Sequence, residues 1–178
     1  MKMLPSVTEV IEPWVDFSRI PPGTLQAAAD RGTLVHEACA MHAQGLWSIG
    51  NPPEIAGYVA SFRRWFDQIV TEVILVEERL FDYALGYCGQ IDLVVRVKGG
   101  ETWLVDLKSP VTLSKSWRVQ LAAYQYLCEK SGVTVDRSGS LRLRNDGKIP
   151  KMDWYEGSAT QDFNIFLSAL NCHRYFKA

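Results

Sequence analysis

Gly89-Gln90-Ile91-Asp92 and Val105-Asp106-Leu107-Lys108 are the two short stretches whose reading decides the fold of this chain. They belong to β-rich runs over 88–97 and 102–108, separated by Lys98-Gly99-Gly100-Glu101. Glycine supplies the positive φ that a hairpin turn needs, so the runs read as adjacent antiparallel strands. Side chains alternate along a strand. Asp106 and Lys108 therefore share a face, about 7 Å apart, and Trp103, Val105 and Leu107 take the other. Whether Asp92 joins the first face depends on the loop. Two residues would set Asp92 opposite Leu107, on the wrong face. Three residues, or a bulge, set it opposite Asp106 or Lys108. The odd-length connection is expected, with the three charged groups converging.

The remaining chain surrounds this hairpin with helices. Its 178 residues suggest one domain, 1–178, with enough interior for a core. A content of 47% hydrophobic and 22% charged residues argues against disorder. A net charge of −1 gives no overall field that marks a nucleic-acid or membrane binder, although a local basic patch can hide behind an acidic site. Cys39, Cys88, Cys128 and Cys172 form no C-x-x-C pair, which argues against structural zinc or an iron–sulfur cluster and fits reduced thiols in the cytoplasm. No basic-then-apolar leader and no run of membrane-spanning length stand out.

In chain order, residues 1–23 read as irregular, with a short helix over 7–14. Thr24 opens a helical stretch over 25–29. Arg31-Gly32 is expected to bend or interrupt it, and Thr33 to cap a second helix reaching Ala43, with Leu34, Val35, Ala38 and Met41 as its apolar stripe. Asn51-Pro52-Pro53-Glu54 reads as a helix start capped by Asn51, followed by Ile55, Tyr58, Val59, Phe62, Phe66 and Ile69 at helical spacing. Arg63, Arg64 and Asp67 fall on its outer face. Residues 73–80 read as a strand and 81–86 as a loop or bulge. Pro110 ends the hairpin. Ser114 or Ser116 then caps a helix running to Lys130 that Gly132 closes, with Val119, Ala122, Ala123, Tyr126 and Leu127 buried and Gln120 and Tyr124 on another stripe. Strand pieces over 134–135 and 140–144, a turn at Asn145-Asp146-Gly147, a returning strand over 151–155 and a helix over 161–177 complete an α/β sandwich around a mixed sheet.

The chemistry-bearing residues are His36, Glu77, Asp92, Asp106, Lys108, Gln120 and Tyr124. Carboxylates supply hard oxygen ligands for Mg²⁺ or Mn²⁺. A lysine two residues beyond one of them can hold or help deprotonate a water, and a divalent cation steadies charge on a phosphoryl group. Asp92 followed by Asp106-Leu107-Lys108 resembles the Asp…(Asp/Glu)-x-Lys motif of the PD-(D/E)XK nuclease superfamily. Arg31-Gly32-Thr33-Leu34-Val35-His36 resembles the R-G-x-x-x-H helix of its RecB-like branch, Gly89-Gln90-Ile91-Asp92 the G-x-x-D, and Gln120-Leu121-Ala122-Ala123-Tyr124 the Q-x-x-x-Y. The four motifs come in order over Arg31 to Tyr124, about half of the chain. The likeness is to stand-alone phage or prophage nucleases. Ile91 stands where the superfamily's name has proline, and the four-cysteine cluster of some RecB-like relatives is absent, so no iron–sulfur cluster is expected.

The resemblance implies a restriction-endonuclease-like sandwich and a Mg²⁺- or Mn²⁺-dependent DNA nuclease, with exonuclease action in recombination or repair favoured. It implies Asp92, Asp106, the Leu107 carbonyl and His36 as metal ligands, Lys108 as the group that orients or activates water, and Gln120 and Tyr124 as positioners of the metal site or the DNA backbone. Glu77 is the chosen upstream acid, with Glu78 its rival. DNA is the expected partner, and a homo-oligomer or a phage recombination protein is a further possible one. Local basic groups must hold the phosphates: Lys115 and Arg118 beside the active-site helix, and Arg142, Arg144, Lys148 and Lys151 on the late hairpin, with Arg63 and Arg64 next. The rival readings are an inactive nucleic-acid-binding module on the same fold and an α/β domain for protein contacts alone.

Overall fold

The computed structural model describes residues 4–16, 18, 21–46, 50–109 and 113–177. Strands β2 (Tyr87–Val97) and β3 (Thr102–Lys108) form the central hairpin. The Val97 N–H donates to the Glu101 carbonyl at 3.0 Å, and the Gly100 N–H to the Val97 carbonyl at 2.9 Å. That leaves a three-residue loop, Lys98-Gly99-Gly100, with both glycines at positive φ, +102° and +89°. Arg96 pairs with Thr102 and Leu93 with Val105, and the same register sets Asp92 across from Asp106.

β1 (Val70–Asp82) pairs antiparallel with β2 along its whole length. Beyond β3, helix α4 (Ser116–Lys130) carries the chain to β4 (Arg137–Arg142), the strand that runs parallel to β3, and β5 (Lys151–Trp154) returns antiparallel. The result is a five-stranded mixed sheet in the order β1-β2-β3-β4-β5. The remaining helices are α1 (Val7–Ile11), followed by a 3₁₀ turn over Glu12–Trp14, α2 (Pro22–Ala43), α3 (Pro53–Ile69) and α5 (Ala159–Lys177).

Alternation along the central strands builds two cores. Val94 and Leu104 pack with Val7 and Val10 of α1, Leu121 and Leu127 of α4, and Phe166 and Leu170 of α5. Leu93, Val95, Val105 and Leu107 pack with Val35 and Cys39 of α2 and with Ile55, Val59, Phe62 and Trp65 of α3. The sheet is therefore covered on both faces, the α/β sandwich expected from the sequence.

Several local expectations are corrected. α2 is one continuous helix: Gly32 does not interrupt it, and the Thr33 hydroxyl donates back to the Ala29 carbonyl at 3.2 Å rather than capping a new start. A mid-helix glycine costs only about 1 kcal/mol, less than the packing of the flanking turns returns. The buried stripe of α2 is Val35 and Cys39, and Leu34 is exposed. α3 begins at Pro53 with Pro52 as its cap residue, so Asn51 does not cap it. β1 extends well beyond 73–80, because its pairing with β2 continues past both ends of that span. Residues 134–135 are not a strand, and Lys115 rather than a serine precedes α4, although the Ser114 hydroxyl accepts the Ser116 N–H at 3.3 Å. On α4, Val119 and Tyr126 are partly buried while Gln120 and Tyr124 are buried. Pro110 lies outside the described residues. Among the described residues no helix is long and apolar enough to cross a membrane.

Two helical glycines make opposite predictions. A Cβ on Gly57 would sit 1.8 Å from the Asn145 backbone oxygen, whereas one on Gly32 meets nothing within 4 Å. Gly57→Ala is expected to destabilise by at least about 3 kcal/mol, and Gly32→Ala to stabilise by about 0.5–1 kcal/mol. Denaturant titrations of the two variants check this.

Candidate active site

One cleft of about 930 Å³ is lined by His36, Glu77, Asp92, Asp106, Lys108, Gln120 and Tyr124 together. It lies where α2, on one face of the sheet, and α4, on the other, both reach the end of β3. Asp92 is fixed by the Leu107 N–H, which donates to its Oδ2 at 2.7 Å, and its Oδ1 lies 3.4 Å from His36 Nδ1. The other ring nitrogen, Nε2, is 3.0 Å from the Leu107 carbonyl oxygen. His36 thus reaches from α2 to both a carboxylate and the backbone of the Asp-x-Lys strand.

Glu77 enters from β1. Register shifts lie between Val70 and Glu72 and between Val73 and Leu75. Beyond them Val76 pairs with Leu93 and Glu78 with Ile91, so Glu77 lies across from Asp92. Glu77 has φ +48°, in the left-handed region. Its Oε2 accepts a hydrogen bond from Gln90 Nε2 at 2.7 Å. Its Oε1 is buried without a hydrogen-bond partner, 3.9 Å from His36 Nδ1. Glu78 is exposed and does not line the cleft.

On the α4 side, Lys108 Nζ lies 2.9 Å and 3.1 Å from the two oxygens of Asp106, which is 2% exposed. The same ammonium donates to Gln120 Oε1 at 3.1 Å, and Gln120 Nε2 donates to the Tyr124 hydroxyl at 3.0 Å. The i, i+4 pair on α4 therefore clamps the lysine. A Cβ on Gly89 would lie 2.7 Å from the Tyr124 ring, so glycine there gives the tyrosine its place.

The charges answer one another. Burial works to depress His36, but the Asp92 charge and hydrogen bond outweigh it and hold the imidazolium up to about 9. Burial likewise pushes Asp92 up, and His36, Lys108 and the Leu107 N–H overcome it, so Asp92 stays below its ordinary value. Asp106 goes the other way: burial, aided by the Asp92 charge and only partly offset by Lys108, raises it to about 6. Glu77 is raised by burial. Lys108 is raised because Asp106 and Asp92 outweigh its desolvation.

Donor atoms of His36, Glu77 and Asp92 lie within 4.8 Å of one another. These three offer two carboxylates and one imidazole, and Asp106 lines the same cleft with its oxygens on Lys108 Nζ. The unpartnered buried oxygen of Glu77 is the strongest sign that the set fits a cation, since a buried carboxylate oxygen left without a partner is costly.

Sequence reasoning overlooked Ser140, fully buried on β4, whose hydroxyl is 3.4 Å from Asp106 Oδ2. It also overlooked Gln90 as the support of Glu77, and Arg79 and Glu37 in the cleft wall. Gln90 and Arg79 had a usable signal, the strand alternation that places both in register with Asp92 and Glu77. The basic candidates lie elsewhere. Lys115 and Arg118 line a separate hollow of about 660 Å³, where Arg118 pairs with Asp162 at 3.1 Å. Arg142, Arg144 and Lys151 line another of about 300 Å³ beside Ser109. There, Arg142 and Lys151 pair with Asp153, and Arg144 and Lys148 with Asp146. Arg63 is partly buried and Arg64 exposed on α3.

The shifts predict how the metal-free protein responds to pH. His36 binds its proton more tightly folded than unfolded, so its contribution is fully present below about 6.5 and is lost as the pH rises through about 9. The stability difference between the wild type and His36→Asn, measured by denaturant titration in a chelator, is expected to be constant below pH 6.5 and to shrink through pH 9.

The family model of the PD-(D/E)XK nuclease superfamily matches residues 53–165, more than half of the chain. No curated protein matches it. Among solved structures, LHK-Exo, crystallised in complex with dAMP, is 14% identical, with 98% of this chain and 89% of that one covered at a TM-score of 0.38. With the family model spanning β1 to β5 and the Asp-x-Lys hairpin between them, the chain belongs to the PD-(D/E)XK nuclease superfamily.

Proposed function

We propose that this chain is a Mg²⁺- or Mn²⁺-dependent deoxyribonuclease that hydrolyses phosphodiester bonds, acting as an exonuclease in phage or bacterial DNA recombination or repair. The observation that carries the reading is the convergence of Glu77, Asp92, Asp106 and Lys108 in one cleft, with a buried oxygen of Glu77 unpartnered. Asp92, Asp106, His36, Glu77 and the Leu107 carbonyl would hold a divalent cation, which would supply Lewis acidity toward the phosphoryl oxygens. Lys108 orients the attacking water for in-line displacement. Gln120 fixes the lysine's position, and Tyr124 fixes Gln120. His36 holds the Leu107 carbonyl and Asp92 in register from the opposite face. No covalent enzyme intermediate is required. The inactive-module reading has no comparable support, because the acid–acid–lysine set is intact.

DNA is the partner on this reading, in the cytoplasm of a bacterial or phage-infected cell, with a homo-oligomer or a recombination protein as further company. Backbone contacts come from Lys115, Arg118, Arg142 and Arg144. Arg142 and Lys151 lie against Asp153, and Arg144 and Lys148 against Asp146, which gathers four cations on this late hairpin.

Purified protein is assayed on end-labelled linear, nicked and circular DNA with Mn²⁺. Asp106→Ala and Lys108→Ala are each expected to lose activity by about a hundredfold or more. Calorimetry separates them: Asp106→Ala loses metal affinity, and Lys108→Ala keeps it. Linear DNA left uncut by the wild type overturns the proposal.

The combined Arg142→Ala and Arg144→Ala variant is expected to bind DNA more weakly for every sequence and to lower the salt slope by roughly one unit per lost contact, with metal affinity unchanged. Unchanged affinity and slope move the track to Arg63 and Arg64.

A further inference from the structure

The face of the β1–β2 hairpin that carries Glu77 and Asp92 continues past the acids. Two residues beyond Glu77 is Arg79, and two beyond it Phe81; Tyr83 follows in the turn past the end of β1, its ring against that of Phe81. Residues two apart on a strand are about 6.8 Å apart and share a face. Leu80 packs into the core and Asp82 is buried, so positions 80 and 82 face inward beside Phe81. Arg79 lines the acidic cleft. Its guanidinium donates to Cys88 Sγ at 3.4 Å, and among the described residues no carboxylate lies within ion-pair distance of it. Phe81 and Tyr83 are 45% and 73% exposed, and their rings are parallel within 10° at 5.9 Å between centroids. The turn that presents them is ordered: Asp82 Oδ1 accepts the Leu85 N–H at 2.7 Å, and Gly86 takes positive φ.

We infer that this face is a track for an unpaired nucleic-acid strand, with Arg79 on a backbone phosphate and the Phe81 and Tyr83 rings under bases, leading into the acidic cleft. Its use as a substrate path rests on the nuclease reading. Three observations select the occupant. The aromatic pair is continuous with the cleft through Arg79, so whatever covers it also meets the acids. Arg79 is a cation facing the cleft with a thiol as its partner, which suits a phosphate better than an apolar protein surface. Flat exposed rings stack on any base whose face is free, and a duplex hides those faces.

The full chain is mixed in a chelator with fluorescein-labelled oligothymidylate, and separately with a labelled duplex, and binding is read by anisotropy. Phe81→Ala combined with Tyr83→Ala is expected to weaken binding of the single strand by about tenfold or more, with duplex binding and the salt slope unchanged. Phe81→Tyr and Tyr83→Phe are expected to retain wild-type affinity, because the ring is what stacks. Arg79→Ala is expected to lower the single-strand salt slope by about 0.7. Unchanged single-strand affinity in the double variant overturns the inference, as does an equal loss on duplex. A wild-type dimer that becomes monomeric in the double variant, seen by sedimentation, also overturns it by assigning the rings to a second copy. Binding is measured without metal or cleavage, so failure of the wild type to cut any DNA would sink the nuclease reading and leave this comparison standing.

Discussion

Two carboxylates facing each other across neighbouring strands repel, and burial makes the repulsion worse because the interior screens charge poorly. The hairpin creates this problem through its three-residue loop, which sets Asp92 opposite Asp106. The surroundings of the site answer it. The Leu107 N–H and the His36 imidazolium neutralise Asp92, and the Lys108 ammonium neutralises Asp106. Glu77 brings a third acid and no third cation. With all three acids ionised and both bases protonated, the set is one positive charge short of balance. The deficit falls on Glu77, whose Oε1 has no hydrogen-bond partner and lies 3.9 Å from a His36 nitrogen already closer to Asp92. A divalent cation removes the deficit, and a proton on Asp106, whose carboxyl is raised to about 6, is the alternative.

The same contacts tie the layers together. α2 reaches the Asp-x-Lys strand through His36, and α4 reaches it through Gln120 and Lys108. The two helices belong to different cores, so the site is the seam between them. Truncating one member leaves its partner buried without a counter-charge, which is more damaging than the loss of one attraction. Asp106→Ala, for instance, leaves Lys108 without its contacting carboxylate, its hydrogen bond then going to the neutral Gln120 amide.

The hairpin, its odd loop and the Gln120–Tyr124 pair were legible in the sequence because each rests on local periodicity: two residues on a strand, four on a helix. Ser140 was not legible. It meets Asp106 through a parallel pairing that needs α4 as a crossover, and no local pattern reports that register. The continuity of α2 was not legible either, because tertiary packing overrides the penalty of Gly32. Sequence proximity puts only Asp146 beside the cations of the late basic cluster. Asp153 faces it only once β5 folds back on β4, and Asp153 is what pairs with Arg142 and Lys151.

Glu77 shows why the choice between two adjacent acids could not be made from alternation. With the register that pairs Val73 with Val95, Val76 would stand across from Asp92. The single-residue shift before Leu75 moves every later partner by one and brings Glu77 into that place. The backbone at Glu77 then adopts φ +48°, which for a non-glycine residue costs of order 1–3 kcal/mol. Regular pairing on either side, Val76 with Leu93 and Glu78 with Ile91, prevents relaxation by slippage, and the Gln90 amide holds the carboxylate in the cleft. The strain, the unpartnered oxygen and the raised carboxyl fall on one residue. Turning the side chain outward would solvate the oxygen and lower the carboxyl, and a residue without this register shift would escape the strain. The ladder and Gln90 therefore hold the third acid against its own preference, which is the arrangement a cation-binding ligand requires and a merely structural strand residue does not.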